Sequence, residues 1–377
     1  MASLFFLFLL LLLPLLVVFL LVAGIVRPRP VRIPLKGRHV LVSGGSSGIG
    51  FALARRAAAE GARVSILARD PDRLRNACDA IRRDTGVDAA ALAADVRDPA
   101  AVARALETVG PVDVLVCNHG VCVPQELERQ SLEEVRFMVE VNLMGTFHLI
   151  KAALPAMKQR GKETGLPASI AIMSSQAGQF DLFFVSVRSL QNSSLYYIPQ
   201  VGVYGYTAYS ATKFGLRGLA EALQHEVIMD NIHVTLVFPS DTDTPGLAEG
   251  LEYCLMLVVK VVVASFLKIH NLVCKLIAEL KRRPEITNVI AASSGGMKAD
   301  DVAQKALNGI KSAQFVVPCN FEGTMLSIAT AGLSPQRSYL MAFNEVLGAS
   351  LMRFVGLCFQ WNWFSAIEKW HAKKKRK

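Results

Sequence analysis

The stretch His39-Val40-Leu41-Val42, followed at once by Ser43-Gly44-Gly45-Ser46-Ser47-Gly48-Ile49-Gly50, decides the fold of this chain. The first four residues read as a buried strand, a short apolar run closed by a turn signal. Phe51 to Glu60, rich in Ala, reads as the helix that follows the glycines. Strand, glycine loop and helix in that order are the context a dinucleotide fingerprint requires. The spacing is Gly44-x-x-x-Gly48-x-Gly50 rather than G-x-G-x-x-G, but the physical task is the same. Glycines admit positive φ and let the backbone approach a pyrophosphate at a helix N-terminus, where the dipole favours anions. Ser46 and Ser47 lie within that loop. A plain tight turn between strand and helix is the competing reading, and the rest of the chain separates the two.

Outward from the loop, strands and helices alternate. Arg63 to Ala68 reads as a second strand ending in Arg69. An acid at that place would accept from a ribose 2′-hydroxyl, whereas an Arg suits a 2′-phosphate. Arg69, helped by Arg73, therefore points to NADPH rather than NADH. Asp70-Pro71 reads as the N-cap and first residue of the next helix. Ala90 to Ala94 is a third strand leading to Asp95, which reads either as an adenine contact or as a turn acid. Val112 to Val116 is a fourth, ending at Asn118-His119-Gly120. His119 has no partner at metal-ligand spacing and reads as a loop residue. A long helix from Leu132 is expected to carry Asn142. Ala168 to Met173 and Ile232 to Phe238 complete six strands. The pattern predicts an α/β fold, a doubly wound parallel sheet with helices on both faces.

The fifth strand delivers Ser174 and Ser175 to the edge where ligands bind in such sheets. The next helix carries Tyr209-Ser210-Ala211-Thr212-Lys213. Residues four apart share a helix face, so the Lys213 ammonium lies one turn from the Tyr209 phenol. A nearby cation favours phenolate and is expected to lower the Tyr209 pKa. A Ser hydroxyl beside that phenol would hold a carbonyl oxygen. Successive strand residues point to opposite sides, so only one of Ser174 and Ser175 is expected to face the ketone. Such a set moves a proton on or off an oxygen while a hydride moves on or off its carbon.

Taken together, the Gly44/Gly48/Gly50 loop, Asn118-His119-Gly120, Asn142, Ser175 and Tyr209-x-x-x-Lys213 resemble the short-chain dehydrogenase/reductase family over about residues 38 to 247. The resemblance implies a Rossmann-type fold and a set of roles. Tyr209 gives the proton to the nascent alkoxide. Lys213 lowers its pKa and holds the nicotinamide ribose. Ser175, beside Ser174, orients and polarises the ketone, and Asn142 holds a water that links Lys213 to solvent. Ser174-Ser175-Gln176-Ala177-Gly178-Gln179 and Asp241-Thr242-Asp243-Thr244-Pro245-Gly246 resemble the branch that acts on long-chain sphingoid ketones, and Lys281-Arg282-Arg283-Pro284-Glu285 and Gly332-Leu333-Ser334-Pro335 resemble its plant form. That implies reduction of 3-oxosphinganine to sphinganine at the endoplasmic reticulum. A reductase of another lipid ketone or aldehyde, steroid or retinoid, stays open on the Tyr/Lys/Ser set alone.

The chain departs from the family in two long insertions. The family keeps its Ser and Tyr closer than Ser175 and Tyr209 stand here, and residues 180–200 account for the excess. A second insertion falls near 251–275. The first motivates a different reading, a catalytically silent nucleotide-binding membrane protein.

The ends of the chain point to a bilayer. Ser3 to Val26 is apolar throughout, long enough to span the roughly 30 Å hydrocarbon core. No Lys or Arg precedes it, against a cleaved signal peptide. Arg27, Arg29, Arg32, Lys36 and Arg38 follow it, so the positive-inside rule places the rest in the cytosol. Residues 1–26 are thus expected as the anchor and 27–37 as a basic, Pro-rich linker. Residues 38–323 form the nucleotide-binding domain, and 324–377 a C-terminal membrane-associated segment with a basic tail. Trp361, Trp363 and Trp370 beside Lys373 to Lys377 suit a segment lying on the membrane. The 377 residues carry 41 Lys and Arg against 31 Asp and Glu, a net charge of +10. Much of it sits at the ends without a nucleic-acid motif, so no nucleic-acid partner is expected. Seven cysteines without a Cys-x-x-Cys pair suit free thiols in a reducing compartment and argue against a metal site. The expected partners are a long-chain amphiphilic ketone and the lipid bilayer, with a homo-oligomer left open.

Overall fold

Strands β1 (His39–Ser43), β4 (Val114–Cys117), β5 (Ala168–Met173) and β6 (Ile232–Phe238) are buried at every residue. Apolar runs of this kind belong to a parallel sheet covered on both faces. In the computed structural model, which describes residues 2–26, 31–178, 204–244, 296–352 and 354, that is what they form. With β2 (Arg63–Ala68), β3 (Ala90–Ala93) and β9 (Val316–Pro318) they make a seven-stranded sheet in the order β3-β2-β1-β4-β5-β6-β9. All six pairings are parallel. A separate two-stranded pair joins β7 (Thr242–Asp243) to β8 (Met297–Lys298).

Alternation along each strand sorts the core into two halves. Val40 and Val42 face α2 (Gly48–Ala59), α3 (Pro71–Thr85) and α8 (Ala299–Lys311). Leu41 faces the other layer, α4 (Pro99–Val109), α6 (Gly145–Thr164) and α7 (Thr207–Val227). The strand order reverses between β1 and β4, and the crevice beyond their C-terminal ends is the switch point where doubly wound sheets bind ligands.

Several boundaries differ from the sequence reading. The chain does not run as one regular helix from Leu132 through Asn142. The helix α5 (Leu132–Met138) gives way to a π-helical turn over Val139–Met144 before α6 begins. Strand β9, with the helix α8 before it, was not anticipated; β9 pairs Leu236 with Val316 over only three residues. The linker expected over 27–37 is, in its second half, part of the domain. Ile33 and Leu35 are 1% and 3% exposed in the core beside α8, and the Ile33 amide donates to the Lys311 carbonyl at 2.9 Å. Arg38, expected among the membrane-surface charges, is buried with Nε 3.0 Å from Asp113. The expected insertions at 180–200 and 251–275, and the tryptophans of the tail, lie outside the described residues.

The first 25-residue helix, α1 (Ala2–Val26), extends about 37 Å at the α-helical rise. Leu16, Leu20 and Ile25 on it are exposed. Phe19 packs edge-on against Tyr339 and Phe343, ring centroids 5.8 and 5.3 Å apart, on a helix over 339–352. Among the described residues one helical stretch, 132–164, is apolar and long enough to cross a bilayer by composition alone, and 44% of its apolar window is buried inside the domain.

Because Ile33 fills the core, Ile33→Ala should destabilise the domain by about 2–5 kcal/mol. Arg32→Ala, at an exposed neighbour, should stay within about 0.5 kcal/mol of the parent. Denaturant melts of the detergent-solubilised chain check this; equal midpoints for both variants would return the segment to the status of a linker.

Candidate active site

The glycine loop is built for close backbone approach. Gly44 and Gly48 hold φ of +63° and +56°, the left-handed region glycine favours. A Cβ on Gly50 would stand 2.2 Å from the Gly44 carbonyl oxygen and 2.4 Å from Asn118 Nδ2. Asn118 Nδ2 donates to the Gly44 oxygen at 3.3 Å, tying the end of β4 to the loop. Ser47 is the N-cap of α2, and its side chain makes no capping bond, so the first amides of the helix stay open to an anion. With Ser46 beside it, this cradle fits the pyrophosphate of a dinucleotide.

At the adenosine end the residues are partly as expected. Asp70 caps α3, accepting from the amides of Asp72 at 2.9 Å and Arg73 at 3.1 Å. Arg69 is exposed at the end of β2, and Arg73 Nε lies 3.7 Å from the Asp70 carboxylate. Asp95 accepts from Arg97 Nη2 at 2.7 Å and from the Arg97 amide at 3.0 Å. The side-chain bond from Arg97 holds its carboxyl below the usual range. The carboxylate is thus engaged by Arg97, as that of a turn acid would be, and its remaining lone pairs leave the adenine contact open.

The reacting pair is assembled. Ser175 and Tyr209 lie beside each other: the Ser175 hydroxyl acts on the Tyr209 phenol in the direction that lowers its pKa, and Ser175 Oγ accepts from the Ala177 amide at 3.1 Å. Tyr206 holds the Tyr209 ring edge-on, centroids 5.7 Å apart. Lys213 Nζ sits 5.5 Å from the centroid of the Tyr209 ring and donates to the Met173 carbonyl at 3.0 Å.

The electrostatics differ from the sequence expectation. Tyr209 is raised from its ordinary value, chiefly by burial, with the nearby Ser175 hydroxyl pulling weakly the other way. Burial pulls Lys213 down to about 8. A cation directed at a carbonyl does not offset the desolvation of a phenol. The pocket thus keeps Tyr209 protonated, the form a proton donor needs.

Further assignments change. Ser174 does not face the pocket; its hydroxyl donates to the Lys213 carbonyl at 3.0 Å and ties β5 to α7. The Asn142 side chain is hydrogen-bonded at both ends. Its Oδ1 accepts from the Val121 amide at 2.8 Å, while Nδ2 donates to the Val121 carbonyl at 2.9 Å and Thr212 Oγ1 at 3.1 Å. Oδ1 keeps a second lone pair, so this anchoring is compatible with the expected water link to Lys213. His119 is more than a loop residue. It is half-buried, with Nδ1 2.7 Å from Ser43 Oγ and Nε2 3.4 Å from Thr146 Oγ1. Burial depresses it to about 3, so it is neutral. Tyr204, donating to Glu126 at 3.0 Å, and Tyr206 wall the pocket and had no spacing signal. Among the described residues no His, Cys, Asp or Glu cluster could hold a metal.

A family profile described as short chain dehydrogenase matches residues 38–189 and 196–252. The chain belongs to the short-chain dehydrogenase family. The break in the match, between 189 and 196, falls inside the first expected insertion. The chain is 49% identical over 376 residues to 3-dehydrosphinganine reductase TSC10B of Arabidopsis thaliana, covering 100% of this chain and 98% of that one. It is 51% identical over 350 residues to TSC10A of the same plant, covering 93% and 91%. Among solved structures, a short chain dehydrogenase/reductase family protein at 25% identity covers 76% of this chain and 98% of its own, with a TM-score of 0.54.

In a short-chain dehydrogenase so arranged, a charged Lys213 eases the phenolate that Tyr209 becomes after giving its proton. Reductive turnover should therefore fall as pH rises through about 8, where Lys213 loses its charge. Lys213→Met should be slow and lack that limb. A wild-type profile flat across this range would contradict the assignment.

Proposed function

We propose that this chain reduces 3-oxosphinganine to sphinganine with NADPH, as a membrane-anchored enzyme of the endoplasmic reticulum whose catalytic domain faces the cytosol. The observation that carries the reading is the Ser175–Tyr209 hydroxyl pair above a buried Lys213, in a chain about half identical to two plant 3-dehydrosphinganine reductases across nearly their full length. Ser175 and Tyr209 stand beside each other despite the long connection between them, which favours a working pair over the silent reading.

Bound NADPH supplies the hydride that reaches the carbonyl carbon. The chain's residues do the rest. The Gly44–Gly50 loop and the α2 N-terminus hold the pyrophosphate, Asn118 fixes the loop, and Arg69 with Arg73 suits the 2′-phosphate. Ser175 donates to the ketone oxygen and aligns it. Tyr209 gives its proton to that oxygen as negative charge develops, and Lys213 stabilises the phenolate left behind. General acid catalysis of this kind contributes roughly 10²–10⁴-fold.

The substrate is a long-chain amphiphile, and the apolar surface suits a bilayer source. Leu16, Leu20 and Ile25 on α1 are exposed, as are Leu340, Leu347 and Leu351 on the helix that Phe19 joins to it. Together they favour a domain seated on the membrane by two packed helices. The basic residues after α1 favour the cytosolic side.

Tyr209→Phe removes the proton source while the ring still packs. Turnover of 3-oxosphinganine should drop at least about a hundredfold, and NADPH affinity, read by nicotinamide fluorescence, should stay near wild type. Substantial residual turnover would point to another acid.

A further inference from the structure

The two reacting hydroxyls come from elements joined through the long connection 179–203, and a connection that long does not set the distance between its ends. A different element reaches both. The helix α9 (Phe321–Ala329) begins at Asn320, whose Oδ1 accepts from the Gly323 amide at 2.8 Å as an N-cap. The same oxygen accepts from Gln176 Nε2 at 2.6 Å. Gln176 is the residue after Ser175, is 5% exposed, and its backbone amide is held by the Pro239 carbonyl at 3.0 Å. The amide lies flat on the first turn of α9: a Cβ on Gly323 would stand 3.0 Å from Gln176 Nε2.

The far end of α9 is gripped by the catalytic helix α7. Arg217 lies one turn beyond Lys213. Its Nη1 donates to Thr330 Oγ1 at 3.1 Å, and its Nη2 to the Thr330 carbonyl, to the Ala331 carbonyl at 3.4 Å and to Ser334 Oγ at 2.9 Å. Glu221 orients the guanidinium, accepting from Nε at 3.0 Å. A cation over the last carbonyls of a helix is favoured by its dipole as well. Between these two grips Leu326 and Ser327 are 0% and 5% exposed, so α9 is seated firmly.

We propose that α9 is a strut that sets the separation of Ser175 and Tyr209, with Gln176, Asn320 and Arg217 as positioning residues. The inference rests on the reading of Ser175 and Tyr209 as the reacting pair. A Ser displaced by even about 1 Å costs on the order of a hundredfold in rate, whereas the nucleotide site at β1 and β4 does not touch the strut.

The test separates the bridge from the cap, on the full-length chain in detergent with 3-oxosphinganine and NADPH. Asn320→Asp keeps an acceptor for both partners. Asn320→Ser keeps an equally good cap but is too short to reach Gln176. Asn320→Asp should hold kcat within about twofold of wild type. Asn320→Ser should lose about tenfold or more in kcat with NADPH affinity unchanged. Gln176→Ala leaves the cap untouched and should show the same loss, and the double variant no further loss, since both remove one interaction. Wild-type kcat in Gln176→Ala, or equal losses in the Asp and Ser variants, would overturn the strut. Ser175→Ala is run beside them: if it keeps wild-type turnover, the reading of the reacting pair fails instead.

Discussion

A lysine ammonium buried at the C-terminal edge of the sheet constrains everything around it. Lys213 is 4% exposed, and removing a cation from water is expensive unless its donors are met. The chain meets them with the Met173 carbonyl and the face of the Tyr209 ring. Both partners work only if α7 stays fixed against β5. The Ser174 hydroxyl pins the Lys213 carbonyl, and Asn142 pins Thr212 next to it. The same Asn142 fastens the Val121 backbone, so the loop after β4 and the catalytic helix share one polar anchor. A half-satisfied arrangement of this kind would cost more than an apolar one, which is why each member is bonded.

The sheet was legible in the sequence where apolar and β-branched runs are closed by turn residues. β2, β5 and β6 read to their observed ends for that reason, whereas β1 and β4 were placed with their ends shifted by one or two residues. The glycine loop was legible because its function needs positive φ and no Cβ, which only glycine supplies. Other features hide because their cause is not local. Nothing in Val139-Glu140-Val141-Asn142 distinguishes a π turn from an α turn. Arg38 sits in a run of basic residues, and only the fold reveals that Asp113 waits for it. The direction of the Tyr209 shift depends on depth of burial, which spacing four along a helix does not encode. β9 is too short to carry a periodic signal.

The C-terminal region connects the N-terminal apolar helix to the helix bearing the candidate site. α1 meets the helix over 339–352 through Phe19, and the chain before that helix carries Ser334, one of the groups Arg217 holds. Residues that look peripheral in sequence thus end against the helix bearing Tyr209 and Lys213.

The account stands or falls on hydride delivery to one carbonyl carbon of one substrate. Purified full-length chain in lipid vesicles, given 3-oxosphinganine and NADPH deuterated at the transferring position, should form sphinganine carrying one deuterium at the former carbonyl carbon, read by mass spectrometry. Absence of labelled sphinganine, with NADPH bound and the chain folded, would contradict it.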